Sequence, residues 1–178
     1  MCRFTAYLGK EEILFQNILA DPTHSLVTQS RFAKEGTTEI NGDGFGIGWF
    51  NPEVDFIPAI FKSTLPAWND ENLSNISKKI LSRCFAGHVR ASTVGSVNYS
   101  NCHPFSYNNL MFLHNGTIEN FHTIKKEVIE KISPECLNNV KGQTDSEYFF
   151  ALICSILGPH TSDLSEITLT GAIQKAID

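Results

Sequence analysis

The chain has 178 residues, of which 42% are hydrophobic and 11% aromatic, with 13 Phe. That is one domain's length with enough apolar surface for a core, and it excludes a disordered chain, which combines low hydrophobicity with high net charge. The formal net charge is -5 and no block of Lys and Arg stands out, which speaks against nucleic acid as the main partner because phosphate binding needs a basic face.

In chain order, Arg3 to Leu8 alternates loosely and carries Phe, Thr and Tyr, which predicts a strand at the N-terminus. The turn signal Asn41-Gly42-Asp43-Gly44 opens a second strand, Gly44 to Phe50. Phe56 to Lys62 reads as a third strand after the turn at Asn51-Pro52, and Leu73 to Leu81 has helical spacing at 73, 76, 80 and 81. Phe85 to Ala91 and Leu110 to Leu113 read as buried strands. Then the period changes. Phe121, Ile124, Val128 and Ile132 form the stripe of an amphipathic helix that ends before Pro134. Thr144-Asp145-Ser146-Glu147 matches a capping box, with Thr144 as N-cap of an apolar helix reaching Leu157. A last helix is expected from near Ser165 to Asp178. Strands followed by helices imply a mixed sheet-and-helix (α+β) domain rather than alternating βαβ units.

The opening residues show no charged stretch followed by a long apolar core, so no signal peptide is expected. The apolar run Tyr148 to Leu157 is far short of the ~20 residues a spanning helix needs, so no membrane is expected either. Five cysteines, at 2, 84, 102, 136 and 154, are odd in number and widely spaced, with no Cys-x-x-Cys. They fit reduced thiols in the cytoplasm better than a disulfide framework or a zinc site.

Several residues could carry chemistry, and each has a plain structural alternative. Cys2 could be a small apolar residue of an edge strand. If Met1 is removed, however, its own α-amine, with a reference pKa of about 7.7–8.0, stands beside its thiol and can take the thiol proton. The alternating glycines of Gly42 to Gly48 do not fit a dinucleotide loop, because Trp49-Phe50-Asn51-Pro52 cannot start a helix well. They fit a strand that another backbone approaches closely, either for packing or to place a substrate beside a nucleophile. Arg90 ends a buried strand, as a structural ion pair or as a fork for a substrate carboxylate. Asn115-Gly116 is either a hairpin turn or a pair of N–H donors converging as an oxyanion hole. Asp145, at the first helical position, either favours the helix dipole or receives a substrate ammonium. His88, His103 and His114 lack metal-ligand spacing and are expected to be satisfied structural histidines, and Cys84, Cys102, Cys136 and Cys154 buried apolar residues.

Six segments occur together: Cys2; Gly42-Asp43-Gly44-Phe45-Gly46-Ile47-Gly48-Trp49; His88-Val89-Arg90-Ala91-Ser92-Thr93; Asn101-Cys102-His103-Pro104-Phe105; His114-Asn115-Gly116-Thr117-Ile118-Glu119-Asn120; and Thr144-Asp145-Ser146-Glu147. In this order they resemble the class II glutamine amidotransferases, of the N-terminal-nucleophile hydrolase type, and within them the YafJ-type branch. That branch is similar in turn to γ-glutamyl hydrolases of thiol metabolism. The resemblance implies a four-layer αββα sandwich, incomplete at its C-terminus, as a single domain over 1–178. It implies Cys2 as nucleophile on the glutamine side-chain amide, Asn115 and Gly116 as the oxyanion hole, and Arg90 with Thr93 at the α-carboxylate. Asp145 and the Gly116 carbonyl would hold the α-amine. Ammonia would leave, to an acceptor synthase domain or subunit where one exists, and water would cleave the γ-glutamyl thioester. No cofactor or metal is expected. The alternatives are a γ-glutamyl peptide or amide hydrolase, or a non-catalytic module that retains the fold. The chain departs from the sugar-phosphate synthase branch in having Ala91 where that branch has Trp, and Val94 where it has His. Both departures imply a more open pocket.

Overall fold

The computed structural model describes residues 2–32, 40–91, 96–158 and 166–178. Four strands form an antiparallel sheet in the order β1 (Arg3–Leu14), β4 (Leu81–Val89), β2 (Phe45–Trp49), β3 (Ala59–Ser63). The second sheet is a hairpin of β5 (Phe105–Tyr107) and β6 (Leu110–Phe112), turned at Asn108, whose φ is 49°. Asn tolerates that left-handed position better than most residues.

Period-2 alternation decides which face of the large sheet meets which layer. Phe45, Ile47, Phe85 and Val89 point to one side, where they form a core with Phe15 and with Leu19, Leu26 and Leu73. The last three lie on or beside α1 (Gln16–Leu19), α2 (Leu26–Arg31) and α3 (Glu71–Ser77). The opposite side of β2 presents glycines. A Cβ on Gly46 would lie 2.1 Å from the His103 carbonyl oxygen, and one on Gly48 2.3 Å from Met111 Sδ. The hairpin layer therefore sits directly on β2, which confirms the close-approach reading of these glycines. Behind the hairpin, Phe105 packs with Cys136, Phe150, Ala151 and Cys154 in a second core. It is built on α5 (Pro134–Asn139) and α6 (Asp145–Leu157), with α4 (Phe121–Lys131) and α7 (Glu166–Ile177) alongside. The layers run helix, sheet, sheet, helix, as the resemblance implies.

Local differences from the sequence reading have identifiable causes. The 73–81 stripe divides: the helix stops at Ser77, and Leu81 begins β4. Strand β1 continues past Leu8 to Leu14 through a shift in register between Leu8 and Ile13. The 121–132 stripe ends as α4, and Ser133 caps a separate helix opened by Pro134, its side chain accepting the Cys136 N–H at 3.3 Å. The short elements α1, α2 and β5 carry no period long enough to read. No helix among the described residues is long and apolar enough to cross a membrane.

Candidate active site

Strand register brings the first three motifs to one end of the large sheet. Arg3 pairs with Val89 and Phe45 pairs with Val89 from the other side, so β1 and β2 begin where β4 ends. One step further, the Arg90 N–H donates to the Gly44 carbonyl at 2.9 Å, and the Asp43 N–H to the Arg90 carbonyl at 3.1 Å. Gly44 has φ of 100°, and a Cβ there would lie 2.7 Å from Cys102 Sγ, so the position requires glycine on both counts. On the β1 side, Cys2 reaches Ala91: the Ala91 N–H donates to Cys2 Sγ at 3.4 Å, and the thiol faces the Ala91 carbonyl at 3.5 Å. The backbone of a single residue, Ala91, thus offers a donor to a thiolate and an acceptor to a thiol.

The second half of the chain supplies the facing wall. Cys2, Arg90, Ala91, Gly116 and Asp145 line one cleft open to solvent, together with Asn101, His103 and His114. Arg90 is 4% exposed, and its Nη1 donates to the Ser96 carbonyl at 3.0 Å. Asp145 is also buried. One of its oxygens accepts the Ile118 N–H at 2.7 Å, and the other accepts the Ser146 N–H at 2.8 Å. Each carboxylate oxygen has two acceptor sites, so the group keeps capacity for a further donor while it anchors the loop from β6 to α4.

That loop bears on the hairpin alternative for Asn115-Gly116. The strand before it ends at Phe112 and the chain proceeds to α4, so the pair does not turn a hairpin. Gly116 lines the cleft, and a Cβ there would lie 2.6 Å from His114 Nε2. Asn115 is exposed and is not among the cleft-lining residues. Thr93 and Val94 fall outside the described residues.

Thr144 is the N-cap of α6 as expected, its hydroxyl accepting the Glu147 N–H at 3.3 Å. The reciprocal contact differs from a capping box. Glu147 accepts the N–H groups of Lys141 and Gly142, at 2.9 and 2.7 Å, and so braces the segment entering the helix. Burial pushes the Glu147 carboxyl up against the opposing pull of those two donors.

The histidines correct an expectation. His88 and His103 are buried, but they are not satisfied among the described residues, none of which pairs with any of their four ring nitrogens. The rings lie against each other, tilted by 32° with centroids 4.3 Å apart, and His103 also packs on Phe105. Burial, with Arg90, His114 and Lys62 adding positive charge nearby, pushes His88 down to about 3. Burial first and His88 second hold His103 well below its ordinary value. Both rings are therefore neutral at pH 7. His114 is half-buried, with Nδ1 2.9 Å from Ser146 Oγ. Cys102, Cys136 and Cys154 are buried as expected, whereas Cys84 is half-exposed. Burial raises the thiols of Cys84, Cys102 and Cys154, the last to about 12, which disfavours their thiolate forms. Sequence reasoning passed over Asn101 and Ser96. The Asn-x-His-Pro segment was the available signal for the first, and nothing local marks the second.

Residues 13–176 match the family described as glutamine amidotransferases class-II. The chain is 38% identical over 191 residues to a protein named probable glutamine amidotransferase DUG3 from Saccharomyces cerevisiae, covering 100% of this chain and 54% of that protein. It is 33% identical over 123 residues to a γ-glutamyl-hercynylcysteine sulfoxide hydrolase from Mycolicibacterium smegmatis, covering 67% of this chain and 52% of that protein. Among solved structures, a glutamine aminotransferase class-II domain protein from Silicibacter pomeroyi superposes with a TM-score of 0.68 at 25% identity, covering 99% of this chain and 62% of that one. The chain thus spans about half the length of the curated relatives it matches.

Proposed function

The chain belongs to the class II glutamine amidotransferases, and from that membership we propose that it cleaves the γ-amide of glutamine with Cys2 as nucleophile. The observation that carries the proposal is the shared cleft: a thiol, a buried guanidinium and a buried carboxylate, from positions 2, 90 and 145, open onto one space. An α-amino acid head presents a carboxylate and an ammonium, which suit Arg90 and Asp145 respectively, leaving the γ-acyl end for the thiol.

Removal of Met1 frees the Cys2 α-amine. The amine takes the thiol proton, with the Ala91 N–H steadying the thiolate, and sulfur adds to the γ-carbonyl carbon. The oxyanion is received by the Gly116 N–H and by Asn115, whose exposed side chain turns inward over bound substrate. Collapse of this intermediate breaks the C–N bond, the amine returns the proton to the leaving nitrogen, and ammonia departs. Water then cleaves the thioester to give glutamate and the free thiol. Ammonia passes to an acceptor synthase domain or subunit where one is present. The protein acts in the cytoplasm.

A second reading concerns the leaving group. Ala91, next to Arg90 and itself on the cleft, leaves room for an amine larger than ammonia. A relative 33% identical is named for hydrolysis of a γ-glutamyl compound. A kcat/KM higher for a bulky γ-glutamyl amide than for glutamine would establish this reading over the first.

The test of the nucleophile separates thiol from amine. Cys2→Ala should abolish glutamate release, and a tag left in front of an intact Cys2 should do the same, because it removes only the free amine. Intact mass should show loss of Met1 in the active protein and one covalent label from a glutamine-like electrophile. Full activity in the tagged protein would overturn the mechanism.

A further inference from the structure

Between the two charged groups of the cleft stands a side chain with no assigned part in the reaction. Asn101 closes a short turn, Tyr99–Asn101, and is 1% exposed, yet its residue lines the cleft. Its Nδ2 donates to the Ser96 carbonyl at 3.0 Å. That same carbonyl accepts Arg90 Nη1 at 3.0 Å. On the other side, Asn101 Oδ1 accepts the Gln143 N–H at 2.8 Å, two residues before Asp145. The approach is close enough that a Cβ on Gly142 would lie 2.6 Å from Oδ1. One planar amide therefore ties the support of the guanidinium to the lead-in of the carboxylate.

We propose that Asn101 is a positioning residue that sets the separation between Arg90 and Asp145, and thereby the fit of the amino-acid head group. This role rests on the head-group assignment made above. Asparagine suits it chemically because the position needs a donor on one side and an acceptor on the other, within one short rigid group. Aspartate would keep the acceptor for Gln143 but face the Ser96 carbonyl with a second acceptor. Alanine would lose both bonds, leaving the Ser96 carbonyl to Arg90 and taking from the Gln143 N–H its acceptor on Asn101. Cys2 hangs from the β1–β4 pairing and from Ala91, whereas the hydrogen bonds of Asn101 run to Ser96 and Gln143. The defect should therefore appear in binding rather than in thiol reactivity.

The experiment measures glutamine binding by calorimetry on the full chain lacking Met1, in a Cys2→Ser background, with and without Asn101→Ala or Asn101→Asp. In the Cys2 background, the rate of Cys2 alkylation by iodoacetamide, which has no amino-acid head, is followed by mass. Glutamine should bind at least about tenfold more weakly in each variant, and Asn101→Asp, which keeps one bond but sets two acceptors against each other at the Ser96 carbonyl, should be no milder than Asn101→Ala. In active protein the change should fall on KM, with kcat within about threefold, and alkylation should stay within about twofold of the parent. Unchanged glutamine affinity in the variants, with a parent that binds, overturns the role of Asn101 alone. A parent that fails to bind glutamine or a γ-glutamyl amide overturns the head-group assignment as well. If both variants unfold, or lose alkylation and binding together, Asn101 is only a structural cross-link.

Discussion

The two faces of β2 and β4 use opposite means to hold their neighbours. On one face, Phe45, Ile47, Phe85 and Val89 fill a core with large side chains, and ring contacts such as Phe15 to Phe85 at 4.5 Å join helix to sheet. The other face carries Gly46, Gly48, His88 and the approach to Arg90, and lets the backbone around His103 settle onto the strand. The first face stabilises through buried apolar area. The second gives up that area and accepts unpartnered imidazoles, and in return two distant stretches of chain come within reach of Cys2. Positions that yield stability to a site in this way are where local rules are expected to fail.

The contrast predicts that the aromatic face can be weakened without loss of chemistry. Phe85→Ala should cost about 3–5 kcal/mol of stability, measured by urea unfolding, while kcat at a temperature where the variant is folded stays near that of the parent. A large fall in kcat in the folded variant would show that the two faces are not separable.

On the glycine face the expected balance reverses. Gly46→Ala puts a methyl group 2.1 Å from a backbone carbonyl, which cannot swing aside as a side chain would. Overpacking of this kind costs about 1–3 kcal/mol, and it displaces His103 on the cleft wall. Glutaminase activity should therefore drop further than the loss of stability explains, and an active Gly46→Ala protein would break the comparison.

The last effect concerns pH. His88 is held at about 3 and His103 well below its ordinary value, both chiefly by burial. The unfolded chain, with histidines near 6.5, binds more protons than the native one once the pH falls below that value. Stability contributed by the neutral rings is thus present above about pH 6.5 and is lost progressively as the pH falls toward 3. The slope reaches about 1.4 kcal/mol per pH unit for each histidine. His88→Gln should flatten the dependence of unfolding free energy on pH by one proton between pH 6 and 4, and equal slopes in the two proteins would show that His88 takes up its proton while folded.

Much of the site could be read from residue types because its chemistry is local to each motif. A second-position Cys, an Arg ending a strand and an Asp behind a Thr cap each had a structural alternative when read singly and stood out only together, and all three line the cleft with Gly116. Asn115 is exposed and is not among the cleft-lining residues, which its place in the motif did not foretell.

What the sequence determined by itself are the features that contacts within a few residues decide. Thr144 caps α6 because its hydroxyl is in reach of the Glu147 N–H, and the 3–4 spacing of the 121–132 stripe makes α4 amphipathic. The tertiary structure decided the rest. Ile80 and Leu81 satisfy a helical stripe and a strand equally, and only the pairing of Leu81 with Leu14 makes the second a strand residue. Cys2 meets Ala91 across 89 positions because the β1–β4 register places them together. Likewise Asn101 meets Gln143 across 42 positions, and His88 stacks on His103 only because Gly46 lets that backbone approach. Such contacts depend on which strands pair, in which register and at what sheet separation, and a one-residue slip in register would turn strand residues such as His88 to the other face.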